Sequence, residues 1–270
     1  MTLIAILMGT LVAGIGSVWL AAVLSFGVLA RYTQHMLSLA AGALLATAFI
    51  HLLPEAFESQ ARAHDLFATL LVGLVFFFLL DKAELWHHGH EHHDTRDQGH
   101  AHAHAHAHAH AHDDHSQHVK TGGWAVLAGD SVHAFGDGIL IASAFMADTR
   151  LGLVASLAVL VHEVPHHMGD LVVLRQSSNN NRRAALVKVT LAGAVTALGG
   201  VIGYALVDQL YGYLPFFLIV ASSSFIYVAL ADLIPQLQKR VTAKETAAQI
   251  AWLLIGIGLV TLISGIAHSH

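Results

Sequence analysis

The chain has no cysteine and little charge, with Asp, Glu, Lys and Arg together making up 11% of its 270 residues. Without cysteine there are neither disulfides nor thiolate metal sites. Soluble domains are about a quarter charged, so 11% charged against 55% hydrophobic residues excludes an ordinary soluble domain and indicates a membrane protein. Lys and Arg number only 13 and the net charge is −5. Nucleic acid is therefore no partner for this chain. Residues 1–30 also lack any Lys or Arg. A cleaved signal peptide begins with a positive segment, so this stretch is expected to stay as a spanning helix.

What the chain has instead is apolar runs, at about 3–30, 36–58, 65–86, 122–147, 151–174, 184–208, 212–236 and 247–267. A spanning helix takes roughly 20 apolar residues. Eight of them use up the chain as a single transmembrane domain over 1–270 and leave no room for a soluble catalytic domain. In lipid each backbone amide has to be satisfied inside its own segment. The expected fold is thus an all-α polytopic membrane protein with eight transmembrane helices. Eleven of the 13 cations fall in the first, third, fifth and seventh loops or beside them, and only Arg62 and Arg150 lie on the other side. By the positive-inside rule both termini are extracytoplasmic and the long third loop is cytoplasmic. A bacterial plasma (inner) membrane is the expected location.

That third loop, 87–118, holds 14 of the 23 histidines. Seven of them alternate with alanine: His100, His102, His104, His106, His108, His110 and His112. Nothing in it builds a core, so it is expected to be disordered. Dense neutral imidazoles bind Zn²⁺, Ni²⁺ or Cu²⁺ in interchangeable arrangements, as a metal buffer or sensor at a channel mouth would.

Each ionisable residue in mid-span costs roughly 2.5–3.5 kcal/mol on insertion scales, which makes such residues the place to look for function. The fifth run reads His162-Glu163-Val164-Pro165-His166-His167-Met168-Gly169-Asp170. At helical spacing His162, His166 and Asp170 stack on one face, with Glu163 and His167 on the adjoining one. Pro165 removes a backbone donor and tends to kink the helix, freeing a carbonyl one turn earlier. The two carboxylates alone would cost roughly 6 kcal/mol uncompensated, and a divalent cation is the natural compensation. Interhelical glue in membranes is usually Ser, Thr, Asn or one His, and does not call for five ionisable groups. The fourth run adds Asp130, His133 and Asp137 on one face. Their nitrogen and oxygen donors suit Zn²⁺ and its first-row neighbours.

The second run ends His51-Leu52-Leu53-Pro54-Glu55 and the seventh Asp232-Leu233-Ile234-Pro235-Gln236. Opposite-facing repeats would produce this shared polar-apolar-apolar-Pro-polar pattern. On the orientation above, His51 and Glu55 stand at the outer entrance. Asp232 stands at the exit, with Asp130, His167 and Asp170 also toward the inside. Gly199 and Gly203 have the small-xxx-small spacing of a close helix contact, expected within one subunit.

The eight-span layout, the His-rich third loop, His133-Ala134-Phe135-Gly136-Asp137-Gly138 and the fifth-run motif resemble the ZIP (Zrt/Irt-like) divalent metal transporters, in particular the subfamily whose fifth span reads HEXPHEXGD. The resemblance implies uptake of Zn²⁺, or of Fe²⁺, Mn²⁺, Co²⁺ or Cd²⁺, into the cytoplasm. It also implies inverted repeats of spans 1–3 and 6–8 around spans 4–5, and a homodimer. The metal is substrate, with no cofactor. The family's central ligand positions fall on His133, Asp137, His162, Glu163 and His166. Ala134 stands where the family usually has Asn, and Thr196 where other branches have a carboxylate. One principal central site is therefore expected, with any second ion held weakly by Glu163 and His166 beside His167, a position more often Glu in this subfamily.

Two rivals come from other classes. His162-Glu163-Val164-Pro165-His166 is formally HExxH, the zinc-protease pattern with Glu as general base, but Pro165 sits badly inside such a helix and no third protease ligand stands apart. A cation-diffusion-facilitator exporter would be expected to have six spans and a cytoplasmic C-terminal domain.

Overall fold

The computed structural model describes residues 1–25, 33–89, 119–178, 181–237 and 242–267. Among these residues there are eight long helices and no strand: α1 (2–25), α2 (33–57), α3 (Ala63–Gly89), α4 (Val119–Ala147), α5 (Thr149–Ser177), α6 (Arg182–Gln209), α7 (214–237) and α8 (Ala243–Ala267). Over its described residues, each apolar run of the sequence falls on one helix. Of the His-rich loop, 87–89 close α3, while 90–118, with the His100–His112 tract and the expected disorder, lie outside the described residues.

Seven of the helices are long and apolar enough to cross a membrane. The exception is α4, where Asp130, His133 and Asp137 lower the apolar content of a 29-residue helix. Burial separates the centre from the rim: 72% of the spanning window of α5 is buried, against 11% for α3 and for α8. The outer helices accordingly show Phe67, Leu71, Phe76, Ile250, Leu254 and Leu262 to the surroundings. This is the all-round apolar surface that lipid tolerates and water does not. Leu44, Leu52, Ile141, Leu218, Ile219 and Phe225 are buried in the interior.

Only Asp148 separates α4 from α5. Its carboxylate accepts the backbone N–H of Arg150 at 2.7 Å, satisfying one of the amides that a helix start leaves orphaned. Two helices joined by so short a turn run antiparallel, and α4 and α5 are in contact along the hairpin. Against α4 lies α6, with the backbones touching: a Cβ on Gly199 would meet the Phe135 carbonyl, and one on Gly138 the Thr196 carbonyl. Gly203 faces Ile139, so the Gly199/Gly203 stripe is used within the subunit. Gly42 and Gly256 do the same for α2 and α8.

The helix contacts come in matching pairs. Where α2 packs on α8, α7 packs on α3; α4 on α6 is matched by α5 on α1, and α2 on α5 by α7 on α4. The shared pattern ending the second and seventh runs has a shared geometry too. Thr47–Leu52 and Val228–Leu233 are both π-helical, closed by Leu53 N–H to the Ala48 carbonyl and Ile234 N–H to the Ala229 carbonyl. In each case proline follows one residue later. Proline has no N–H to give and crowds the preceding turn, and a widened turn relieves that conflict.

Gly199→Ala is expected to push α4 from α6 at a cost of about 1–3 kcal/mol. Thermal denaturation of the purified protein should show a lowered midpoint. Gly258→Ala, where an added Cβ meets nothing within 4 Å, should leave the midpoint in place.

Candidate metal centre

The turn at Asp148 sets what meets across the hairpin. His133 and Glu163 are each 15 residues from it, and Asp130 and His166 each 18. Residues equidistant from the turn of an antiparallel pair face each other, and these do: His133 Nε2 lies 3.5 Å from Glu163 Oε1, and His166 Nε2 lies 3.8 Å from Asp130 Oδ1.

The first rung is completed by Asp137 and His162. His162 Nε2 stands 3.1 Å from Glu163 Oε1, 3.4 Å from Asp137 Oδ2 and 3.4 Å from His133 Nε2. Asp137, His162 and Glu163 are buried, while the His133 side chain is 31% exposed. The His162 ring is oriented by its other nitrogen, since Nδ1–H donates to the Ala158 carbonyl at 3.1 Å. That places the lone pair on Nε2, the arrangement of a metal-ligating histidine. Four atoms able to ligate a metal thus converge, and Asp137 Oδ2 and Glu163 Oε1 have no hydrogen-bond partner. Acceptors packed together inside low-dielectric surroundings repel unless a cation joins them. Ligand atoms about 2.1 Å from a tetrahedral ion stand roughly 3.4 Å apart, near the 3.1, 3.4 and 3.5 Å found here, with His133 Nε2 and Asp137 Oδ2 wider at 3.9 Å.

The remaining polar residues divide into two further groups. Asp130, His166 and Asp170 form one, and Asp130, Glu163 and His167 the other. His167 is fully buried. Its Nε2 lies 3.1 Å from Glu163 Oε2 and 3.5 Å from Asp130 Oδ1, and its Nδ1 lies 3.0 Å from Ser17 Oγ. The Ser17 hydroxyl gives its one proton to the Gly14 carbonyl at 2.6 Å. It can therefore only accept from His167, which puts the ring proton on Nδ1.

Comparison with known proteins decides what this bundle belongs to: the family model of ZIP zinc transporters matches residues 1–264. The chain is a member of the ZIP family. Zinc transporter ZIP13 of Pongo abelii is 26% identical over 293 residues, covering 97% of this chain and 79% of that protein. Zinc transporter zipt-7.2 of Caenorhabditis elegans is 36% identical over 155 residues, 55% of this chain and 33% of that protein. The Zinc transporter ZIP13 homolog of Drosophila melanogaster is 25% identical over 271 residues, 85% of this chain and 76% of that protein. The chain thus spans about a third of the Caenorhabditis relative and about three quarters of the two ZIP13 proteins.

In this ZIP chain Ala134 and Thr196, the two positions where the resemblance leads one to expect other residues, are both buried. Ala134 offers no ligand, and Thr196 is packed against Gly14 and Gly138 where α1, α4 and α6 meet. Far along the bundle, a cavity of about 320 Å³ is lined by His51, Glu55, Glu58, Asp148, Arg150 and Ser264, among others. His51 and Glu55 therefore share one space. Asp232 is exposed, accepts from Gln236 Nε2 at 2.8 Å and joins none of the three groups. Sequence reasoning passed over Glu58, Asp148, Ser17 and the Ala158 carbonyl. Glu58 was within reach of it, since His51, Glu55 and Glu58 follow an i, i+4, i+7 helical stripe. Ser17 and the Ala158 carbonyl carry no signal along the chain.

Zn²⁺ at a hundredfold excess over its dissociation constant should stabilise the folded protein by about 2.7 kcal/mol, seen as a raised thermal midpoint. Asp137→Ala and His162→Ala should lose that rise.

Proposed function

We propose that the protein carries zinc, or a related divalent cation, across the membrane into the cytoplasm, with α4 as the eighth crossing. The observation that carries this reading is the group His133, Asp137, His162 and Glu163, whose ligand atoms all lie within 4.8 Å of one another at the centre of a helical membrane protein. The relatives' names, zinc transporters throughout, point to the same substrate. No cofactor is needed. The ion is cargo, and neutral imidazoles with carboxylates bind it firmly enough for entry and loosely enough for release.

In this proposal the cation loses water in the cavity of His51 and Glu55. It rests among His133, Asp137, His162 and Glu163 beside His166, and leaves past Asp130, His167, Asp170 and Asp232 toward the His-rich loop. The paired contacts and twin π-turns support an inverted repeat of α1–α3 and α6–α8 around α4–α5. The cation distribution supports extracytoplasmic termini and a cytoplasmic loop. A bacterial inner membrane and a homodimer complete the proposal. The protease reading is disfavoured by geometry: in HExxH both histidines hold one zinc, whereas here His162 and His166 fall into different ligand groups. Membership of a transporter family sets the cation-diffusion exporter aside.

The test is Zn²⁺ uptake into proteoliposomes of known orientation. Inward movement is expected in wild type and after deletion of 87–118, and none in His162→Ala/His166→Ala. Failure of the wild type to move any divalent metal in either direction would overturn the proposal. Because the ligands bind metal only when deprotonated, uptake should fall on acidification; uptake that rises instead would contradict occupancy as the limiting factor. Glu58→Gln should raise the half-saturating concentration roughly twofold at low ionic strength, with the difference shrinking in high salt as screening removes long-range attraction.

A further inference from the structure

We propose that Ser17 of α1 is a positioning residue of the metal centre: acting through His167, it keeps the Glu163 carboxylate free for the ion. The inference rests on the transport reading and gives a part in it to a helix, 2–25, that carries no ionisable side chain.

Two local features put Ser17 where it stands. It directly follows a π-helical turn, Val12–Gly16, a third such turn besides those of α2 and α7 and one with no proline after it. A widened turn of this kind changes the phase of the side chains beyond it. Within the turn, Gly14 lies against α6, where an added Cβ would meet the Gly193 carbonyl and Thr196 Oγ1. Ser17 itself is fully buried. Its Oγ is 2.6 Å from the Gly14 carbonyl oxygen, a separation at which the hydroxyl proton lies between the two oxygens. A hydroxyl has one proton and two lone pairs, so toward His167 Nδ1, 3.0 Å away, it can only accept.

A neutral imidazole has one N–H. An acceptor at Nδ1 therefore holds the proton there and leaves Nε2 without one, and Nε2 is the atom turned to the metal centre. It lies 3.1 Å from Glu163 Oε2 and 3.5 Å from Asp130 Oδ1 and makes no hydrogen bond. A proton on Nε2 would instead be given to Glu163, and a hydrogen bond to a buried carboxylate is a strong one. Its negative charge would then be shared with an imidazole before it reached an ion. Ser17 removes that competitor. Glu163 is where this counts, because the other oxygen of the same carboxylate stands 3.1 Å from His162 Nε2 and 3.5 Å from His133 Nε2. Outer partners that fix a tautomer beside a metal commonly alter affinity by roughly 10–100-fold.

A double-mutant cycle of Ser17→Ala with His167→Leu in the full-length protein tests this, with the Zn²⁺ dissociation constant read from the rise of the thermal midpoint. Ser17→Ala should weaken binding roughly tenfold or more, and Ser17→Thr, which keeps a hydroxyl, should recover most of that loss. In the His167→Leu background no ring proton is left to place, and Ser17→Ala should weaken binding no further. An equal loss in both backgrounds would make Ser17 a packing residue only and overturn the proposal. Solid-state ¹⁵N NMR of Zn²⁺-loaded protein labelled at histidine and serine supplies a signature that packing would not move. The imidazole correlated with Ser17 should carry its proton on Nδ1 in wild type and on Nε2 in Ser17→Ala. A wild-type proton on Nε2 would overturn the proposal, even if every variant failed to fold. Wild type that binds Zn²⁺ but takes none up in proteoliposomes would overturn the transport reading instead, with the role of Ser17 at the centre still decided by the cycle and the spectrum.

Discussion

The constraint on which the rest of this structure depends is the crowding of acceptor atoms between α4 and α5. A one-residue turn at Asp148 folds the two helices against each other, so that carboxylates and imidazoles equidistant from it meet face to face. The donors that would satisfy them are turned elsewhere. His162 gives its proton to the Ala158 carbonyl, and Ser17 gives its own to Gly14. The hairpin is left with lone pairs and negative charge directed inward, a state that a buried interior tolerates once protons or a bound cation join them. In the proposed transport cycle such a site is kept because it is filled and emptied in turn.

The surrounding helices hold that hairpin together and bury most of its ionisable side chains. Glycine contacts bring α6 against α4 backbone to backbone, and α1 closes the other side through Ser17 and Gly14. Without a hydrophobic driving force between helices in lipid, close van der Waals packing of this kind is what associates them. The two π-turns of α2 and α7, each followed by proline, interrupt otherwise regular helices at matching places. One of them carries His51 into the cavity that Glu55 and Glu58 also line. The breaks in helical regularity thus fall where polar side chains are presented.

Much of this was legible along the chain. Apolar run length gave a helix for each of the eight segments, because lipid leaves no other way to satisfy the backbone. The ionisable residues of the fourth and fifth runs stood out because each is expensive in mid-span. The motif around His162, read as ZIP-like, agreed with the family match over residues 1–264. The division of those residues was less legible. Periodicity puts His162, His166 and Asp170 on one face, and the resemblance puts His166 among the central ligands. In the folded chain His162 faces Asp137 while His166 faces Asp130 and Asp170. The distances to Asp148 contained that pairing, but only once a tight antiparallel turn was assumed.

By itself the sequence determined membrane residence, the helical class, the family and the identity of the polar residues that gather between α4 and α5. These follow from composition, run length and the cost of charge in lipid, all of which are properties of single segments. Tertiary structure alone decided which acceptors share a group, which nitrogen of His162 and of His167 faces inward, and which glycines touch which backbones. Those depend on helix rotation and on contacts between residues far apart in the chain, such as Ser17 with His167 and Gly42 with Leu253. An apolar run has no local feature that names its partner, so its neighbours are set by packing against the whole bundle.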